Sequence, residues 1–382
     1  MALHLAFKEF WRNKGRFLLV SLVIALITLL VIFVAALAEG LGNGNREYIQ
    51  KLNADLIVYN KSADLIIGFS RMGRSKLAEI QRVPGVKAVG PISFSTVAFV
   101  QPDGKQLNVA MIGVEPGQPG EPLVQAGREL RNRRGREAII ERNMALRTGL
   151  QVGDKFTIKS TQGTQDEFYT LEVVGISDGR QYALQPTMIV PFLTWDELKP
   201  SAIVDDRRSE LTSNVIAVQL EDPRNLAAVK SAIEAQVNDV IAVDRVTAYQ
   251  NTPGYSAQQS TLNTQGTFVL LIGTLVIGGF FQIQTLQKVP LTGMLKAIGT
   301  SNGVIAVAGI LQIILVTIIG VILGTGATLL LRLSFPPTIP IVFTGQATLL
   351  AMAAILLIGP LGGIVSIRYA LKVEPLKALG LS

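Results

Sequence analysis

Four apolar runs, each long enough to cross a bilayer, constrain this chain more than any other feature. A bilayer core about 30 Å thick needs roughly 20 mostly apolar residues in one helix. FLLVSLVIALITLLVIFVAALA fills 17–38, and three further runs lie at 267–288, 302–331 and 346–368. The third of the four is long enough to tilt or to reach beyond the bilayer. Composition agrees, because only 16% of the residues are charged where a soluble domain carries about 25%. The expected fold class is a membrane protein: four transmembrane α-helices plus a large mixed α/β extracytoplasmic domain between spans 1 and 2. Ala36-Leu37-Ala38 copies a signal-peptidase site. The run before it, however, exceeds the roughly 7–15 apolar residues of a signal peptide.

Charge sets the expected orientation. Residues 1–16 carry Lys8, Arg12, Lys14 and Arg16 against Glu9. The link between spans 2 and 3 carries Lys288 and Lys296 and no acid, and the C-terminal segment carries Arg368, Lys372 and Lys377 against Glu374. The whole formal excess of +7 therefore falls in three short segments, while 39–266 is nearly balanced. The positive-inside rule places those segments in the cytoplasm. Both termini are then inside and the large middle segment is outside. This distribution argues against nucleic acid as a partner, since the basic balance follows topology rather than one binding face.

The expected organisation follows. A cytoplasmic amphipathic helix fills 1–16, with Leu3, Ala6, Phe7, Phe10 and Trp11 on one face. Span 1 is 17–38, and the extracytoplasmic domain with a polar stalk is 39–266. Span 2 is 267–288, a cytoplasmic helix lies within 289–301, and span 3 is 302–331. A short external loop at 332–345, span 4 at 346–368 and a cytoplasmic tail at 369–382 complete the chain. In the external domain, 54–59, 86–100, 107–114, 137–141, 155–160, 168–176, 187–192 and 214–220 have the β-branched, apolar character of strands. Helical patterns cover 74–82, 141–149 and 223–237.

Catalytic chemistry has little to work with. There is no cysteine, and the one histidine is His4. Thiolate nucleophiles, Ser-His-Asp triads and multi-histidine metal sites are excluded. GFSRMGRS at 68–75 copies the spacing of a phosphate-binding loop, but Arg74 stands where the lysine belongs. The chain is therefore expected to be a non-catalytic membrane subunit with no catalytic residues, metal or directly bound cofactor. Arg128, Arg131, Arg133, Arg134 and Arg136 cluster within nine residues. They read either as a solvated loop or as a contact for an acidic partner or lipid headgroup. The spans hold Gln282, Gln284 and Gln312 rather than a chain of acids. That pattern suits interhelical hydrogen bonds better than a proton relay. Gly320-x-x-x-Gly324 suits close helix packing. A single set of four spans makes a thin bundle, so a dimer is expected.

PLTGMLKAIGTS at 290–301 separates spans 2 and 3. Leu291, Met294, Leu295 and Ile298 recur at i, i+3, i+4 and i+7, which puts them on one helical face. Pro290 suits the first helical position and Gly299 the position past the end, and Ser301 suits the cap of span 3. This short amphipathic helix either lies on the headgroups or docks a cytoplasmic partner.

GMLKAIGTS is similar to the G-L-L-[RK]-A-[LI]-G-A-S element of the FtsX-like, MacB-type permeases of ABC transporters. RYALKVEPLKALG, with Pro375, Ala378 and Leu379, resembles that family's closing pattern, and EAIIERNMALRTGLQVGDKFTI with LEVVGI resembles its periplasmic core domain. Pro290-Leu291 stands where many members have Arg-Glu. In this the chain resembles the subset that contains the heme-efflux permease HrtB and the glycolipid-exporter permease DevC, as does LGNGNREYIQKLNADLIVYNKSAD.

The resemblance implies a multi-pass protein of the bacterial inner membrane. It implies that Leu291, Met294, Leu295, Lys296, Ala297, Ile298 and Gly299 form the coupling helix on which a separate cytoplasmic ABC ATPase docks. It further implies a homodimer in a 2+2 complex, with ATP used only through that partner and a membrane-fusion protein as an additional partner in tripartite members. The implied function is extrusion of a hydrophobic substrate such as heme or a lipid or glycolipid. Glu39 and Met352 are candidates for substrate contact. The alternative is an FtsX-like signal transducer that activates an external partner without transport.

Overall fold

The computed structural model describes residues 11, 14–179, 181–201, 211–252, 254–334, 341–343 and 345–372. The amphipathic face expected at 3–10, residues 335–340 and 344 of the loop expected at 332–345, and the closing motif at Pro375, Ala378 and Leu379 lie outside the described residues. The chain divides into two compact units: residues up to 40 with those from 259, and residues 41–258.

Helix α1 (Lys14–Gln50) continues twelve residues past the expected end of span 1. Gly40, Gly42 and Gly44 each disfavour helix by about 1 kcal/mol relative to alanine. Tertiary packing overrides them, because Tyr48 and Ile49 are buried in an apolar cluster with Leu52, Ile57 and Ile92. Tyr48 meets Phe94 and Tyr182 edge-on, at 5.5 and 6.0 Å between ring centres.

The external domain is mixed α/β. Its strands begin with β1 (Leu56–Asn60), β2 (Met72–Gly73), β3 (Val86–Val100), β4 (Gln106–Val114), β5 (Val124–Gly127) and β6 (Glu137–Glu141). They continue with β7 (Lys155–Gln162), β8 (Gln165–Ser177), β9 (Thr187–Pro191), β10 (Thr212–Ser213), β11 (Val215–Leu220) and β12 (Val240–Asp244). Its helices are α2 (Arg74–Gln81), α3 (Arg142–Thr148), α4 (Phe192–Leu198), α5 (Leu226–Gln236) and α6 (Arg245–Gln250). The helix expected at 223–237 opens as a 3-10 turn at Pro223–Asn225, capped by the Asp222 carboxylate, before α5 begins.

Two pairing systems share one long strand. β12, β1, β11 and β3 lie side by side, every pair antiparallel. With α2 and α5 they make a split β-α-β-β-α-β unit. Leu56, Val58, Ile80, Ile216, Val229 and Ile233 form its core. The 15-residue β3 then continues into a second system. There β3 pairs with β4, β4 with β9, β9 with β6, β6 with β8, β8 with β7, and β7 returns to β3. This closed ring is inserted between the second and third strands of the split unit, and closure removes exposed sheet edges. Phe99, Met111, Ile140, Phe156, Met188 and Trp195 belong to the cluster that joins the ring to α3 and α4.

The other unit comprises the first part of α1 with α7 (Tyr255–Gln287), α8 (Val289–Ala297), α9 (Asn302–Arg332) and α10 (Gly345–Leu371). Among the described residues, four helices are long and apolar enough to cross a membrane: Lys14–Gly42, Tyr255–Gln287, Asn302–Arg332 and Thr348–Tyr369. The polar stretch read as a stalk is helical from Tyr255 onward and continuous with span 2. Small residues set the packing, as expected where lipid removes the hydrophobic drive between helices. A Cβ on Gly320 would come within 2.6 Å of Ile24, and one on Gly324 within 2.5 Å of the Ala25 carbonyl. The expected small-residue motif therefore seats α9 on α1. Gly278 meets Gly362, and Gly359 meets Thr317, in the same close manner.

Candidate coupling site

Helix α8 is short, and its ends are fixed by local chemistry. Pro290 lies in its first turn, where a missing N–H costs nothing. At the other end Gly299 takes φ +93°, the left-handed conformation that side chains resist. The Gly299 N–H donates to the Lys296 carbonyl and the Thr300 N–H to the Leu295 carbonyl, both at 3.0 Å. This pair of bonds is a Schellman closure. Ser301 then caps α9 by accepting from the Val304 N–H.

The expected apolar face of α8 is divided. Leu291, Met294 and Ile298 are exposed, at 47%, 53% and 76%. Leu295 instead turns half inward and lines a small pocket with Phe281 and Ile305. Ala297 and Gly299 are exposed. Lys296 is not on the outer ridge: its Nζ donates to the Leu371 carbonyl at 2.8 Å, at the C-terminal end of α10. A cation there also meets the negative end of the helix dipole. Lys288, just before α8, donates to Gln312 Oε1 of α9 at 3.1 Å and lies 5.3 Å from the centre of the Phe17 ring of α1. Two lysines therefore tie a short helix to three of the four spans. The interhelical role expected of the glutamines holds for Gln312, whereas Gln282 Oε1 is buried without a hydrogen bond among the described residues.

The other singled-out residues are placed as follows. Glu39 lies half-buried on α1, and Met352 lies half-buried on α10 against the apolar cluster of the spans. The phosphate-loop look-alike is a folded structural loop: Arg71 donates to the Gly68 and Ser70 carbonyls at 2.9 and 2.8 Å. Among the described residues, no group of three or more His, Asp or Glu could hold a metal ion.

The arginine cluster is largely an internal network. Arg128 pairs with Glu137 at 2.8 Å, Arg136 with Glu197 at 2.6 Å, and Arg133 with Glu115. Burial pushes the Glu137 carboxyl up, but the Asn132 and Arg131 N–H groups and the Arg128 guanidinium outweigh it, and the net shift is downward. Sequence reasoning missed Glu141, which is fully buried and caps α3 through the Asn143 and Met144 N–H groups. Burial, opposed by those N–H groups and aided by Glu47, pushes it up to about 7.

Residues 17–236 match the MacB-like periplasmic core domain, and residues 264–375 match the FtsX-like permease C-terminal domain. The chain belongs to the MacB/FtsX-type family of ABC transporter permeases. As a permease of this type it is similar over its whole length to others. It is 25% identical to a putative hemin transport system permease protein HrtB of Staphylococcus haemolyticus, over 99% of each chain. It is 24% identical to an uncharacterized ABC transporter permease of Mycobacterium bovis, over 97% of each chain. The extracellular domain of the noncanonic ABC-type transporter YknZ from Gram-positive bacteria aligns with 50% of this permease and all of that domain, with 16% identity and a TM-score of 0.36. The periplasmic region of MacB from Actinobacillus actinomycetemcomitans aligns with 55% of the permease and 99% of that region, with 12% identity and the same score. The family membership makes the permease a multi-pass membrane protein with a periplasmic-type domain between its first two spans.

Proposed function

We propose that this permease is the transmembrane subunit of an ATP-driven exporter and that α8 is the surface on which a separate cytoplasmic ATPase docks. The observation that carries this reading is the build of α8. It is a nine-residue helix with a proline in its first turn and a Schellman closure at its end, and it carries an exposed apolar ridge of Leu291, Met294 and Ile298. Behind that ridge, Lys288 and Lys296 reach back to α9 and α10. A push on the ridge is thereby delivered to the spans. The charge distribution supports both termini and α8 lying in the cytoplasm.

The complex is a homodimer of this chain with two ATPase copies, since four spans enclose little by themselves. ATP binding closes the ATPases, α8 moves with them, and the motion reaches the external domain through α1 and α7. The chain itself does no chemistry on ATP and takes no cofactor. Its substrate is hydrophobic. The name of the staphylococcal relative points to hemin, and a lipid or glycolipid fits the same apolar spans. Glu39 on α1 and Met352 on α10 are the proposed substrate contacts. No observation favours the transducer alternative.

Co-purification tests the docking. With a cognate ABC ATPase subunit, the wild-type permease should form a complex that hydrolyses ATP, and hemin should stimulate it if hemin is the substrate. Met294→Glu and Ile298→Glu should break the complex while the permease still folds. Intact binding in both variants would leave α8 an interfacial helix. Adding a membrane-fusion protein to the same preparation tests whether a tripartite assembly forms.

A further inference from the structure

A cavity of about 380 Å³ lies in the external domain, at the seam between the split unit and the ring. α2 and β3 form one side of it, and the start of α4 forms another. The volume falls at the low end of the roughly 300–1,000 Å³ of small-molecule sites. Most of the lining is apolar, with Leu77, Val89, Phe192 and Leu211 among its members. Val89 and Phe192 are buried, at 6% and 7%, while Leu77 and Leu211 are half-buried.

The charged groups of the lining are Arg74, Arg133 and Glu115. Arg133, one of the clustered arginines, pairs with Glu115, so those two charges cancel. Arg74 is exposed and makes no hydrogen bond or ion pair with any described residue. It occupies the first position of α2, where Gly73 supplies no side-chain cap, so the positive end of the helix dipole adds to the guanidinium. An exposed arginine alone is an ordinary solvated charge. This one borders an apolar cavity of ligand size and is the one charge there that no neighbour in the lining offsets. That combination suits a ligand with an apolar body and a single anionic end. A guanidinium fork matches a carboxylate through two parallel hydrogen bonds.

We propose that this cavity binds one long-chain fatty acid, its chain against Leu77, Val89 and Phe192 and its carboxylate on Arg74. Bound there, the chain bridges α2 of the split unit and α4 of the ring. The site differs from the substrate contacts proposed at Glu39 and Met352, which belong to the membrane unit. It requires neither α8 nor an ATPase.

The test is photo-crosslinking of the full chain in phosphatidylcholine nanodiscs with diazirine-bearing palmitic acid, with adducts mapped by mass spectrometry. Adducts should appear on peptides that cover 72–81 and 192–193, and unlabelled palmitate should compete them away. Arg74→Gln should weaken that competition on the order of tenfold, since it removes one charge-assisted contact. Ala78 is exposed on α2 and lines the cavity, so Ala78→Trp should fill the space and abolish these adducts with the fold intact. Adducts confined to the spans would overturn the proposal, as would unchanged labelling of the cavity in both variants. Equal labelling of the cavity by a diazirine-bearing fatty alcohol would show that Arg74 reads no carboxylate. Equal labelling by a diazirine-bearing phosphatidylcholine would assign the cavity to bilayer lipid and overturn the fatty acid. No ATPase is present in any arm, so failure here leaves the docking role of α8 untouched, and failure of that role leaves this site untouched.

Discussion

The external domain and the membrane unit are built on opposite economies of side-chain size. In the external domain, large apolar residues such as Ile140, Phe156 and Trp195 fill a core closed by ladders that return to their starting strand. Among the spans, Gly278, Gly320, Gly324, Gly359 and Gly362 bring backbones together, and many leucines face outward. Water drives burial in the first case. Lipid is as apolar as leucine, so in the second case close contact and a few polar tethers must hold the helices. The difference shows where motion can enter. A volume-filled core resists deformation, whereas the spans meet at close glycine contacts, an apolar cluster that includes Ile24, Phe281 and Val316, and polar tethers such as those of Lys288 and Lys296.

The largest effect that tests this contrast is a pair of truncations. Ile140→Ala, at a fully buried site, should destabilise the external domain by about 2–5 kcal/mol. Leu329→Ala, on a span and 53% exposed, should change stability by less than about 0.5 kcal/mol. Thermal unfolding of the purified chain measures both, and equal losses would erase the contrast.

A pH effect confined to the external domain comes next. The Glu141 carboxyl is raised from 4.5 to about 7 by burial first and by Glu47 in addition. The folded state therefore keeps a proton that the unfolded chain releases. Its stabilisation is full below about pH 4.5 and is lost as pH climbs through about 7, by at most about 3 kcal/mol. Hydrogen exchange across 137–148 should accelerate over that window in the wild type. In Glu141→Gln the window should flatten.

Overpacking should act the other way round, on the membrane unit alone. Gly324→Val places a Cβ 2.5 Å from the Ala25 carbonyl, a backbone atom that cannot step aside. We expect a loss of about 1–3 kcal/mol in the span bundle with the external domain unchanged, read by detergent-dependent melting against hydrogen exchange of the strands. The smallest effect is at Lys296. Lys296→Met removes one charge-assisted bond to the Leu371 carbonyl and should cost about 1 kcal/mol. ATPase binding should survive, while the coupling of hydrolysis to transport falls.

Much of this was legible in the residues, for identifiable reasons. The spans were visible because a bilayer sets a length, and α8 was visible because Pro290 and Gly299 punctuate a four-residue apolar pattern. Strands such as those expected at 137–141 and 214–220 were visible from their β-branched apolar centres, Ile139–Ile140 and Val215–Val218, which are buried. The closed ring was not, since pairs such as Ala98 with Lys159 join residues far apart in the chain with no local mark. The outward extension of α1 was hidden by its glycines, which packing at Tyr48 overrides. At the candidate coupling site, the helix could be read but not its rotation. Leu295 turns inward and Lys296 reaches residue 371 because of neighbours that no local pattern encodes.

The most direct measurement uses the absence of cysteine in the chain. Met294→Cys gives a single thiol on the exposed ridge of α8. A membrane-impermeant maleimide should fail to label it in intact cells, should label it in inside-out vesicles, and should be blocked there when the partner ATPase is bound. Labelling from outside the cell, or labelling that the ATPase does not reduce, would contradict α8 as the cytoplasmic docking element.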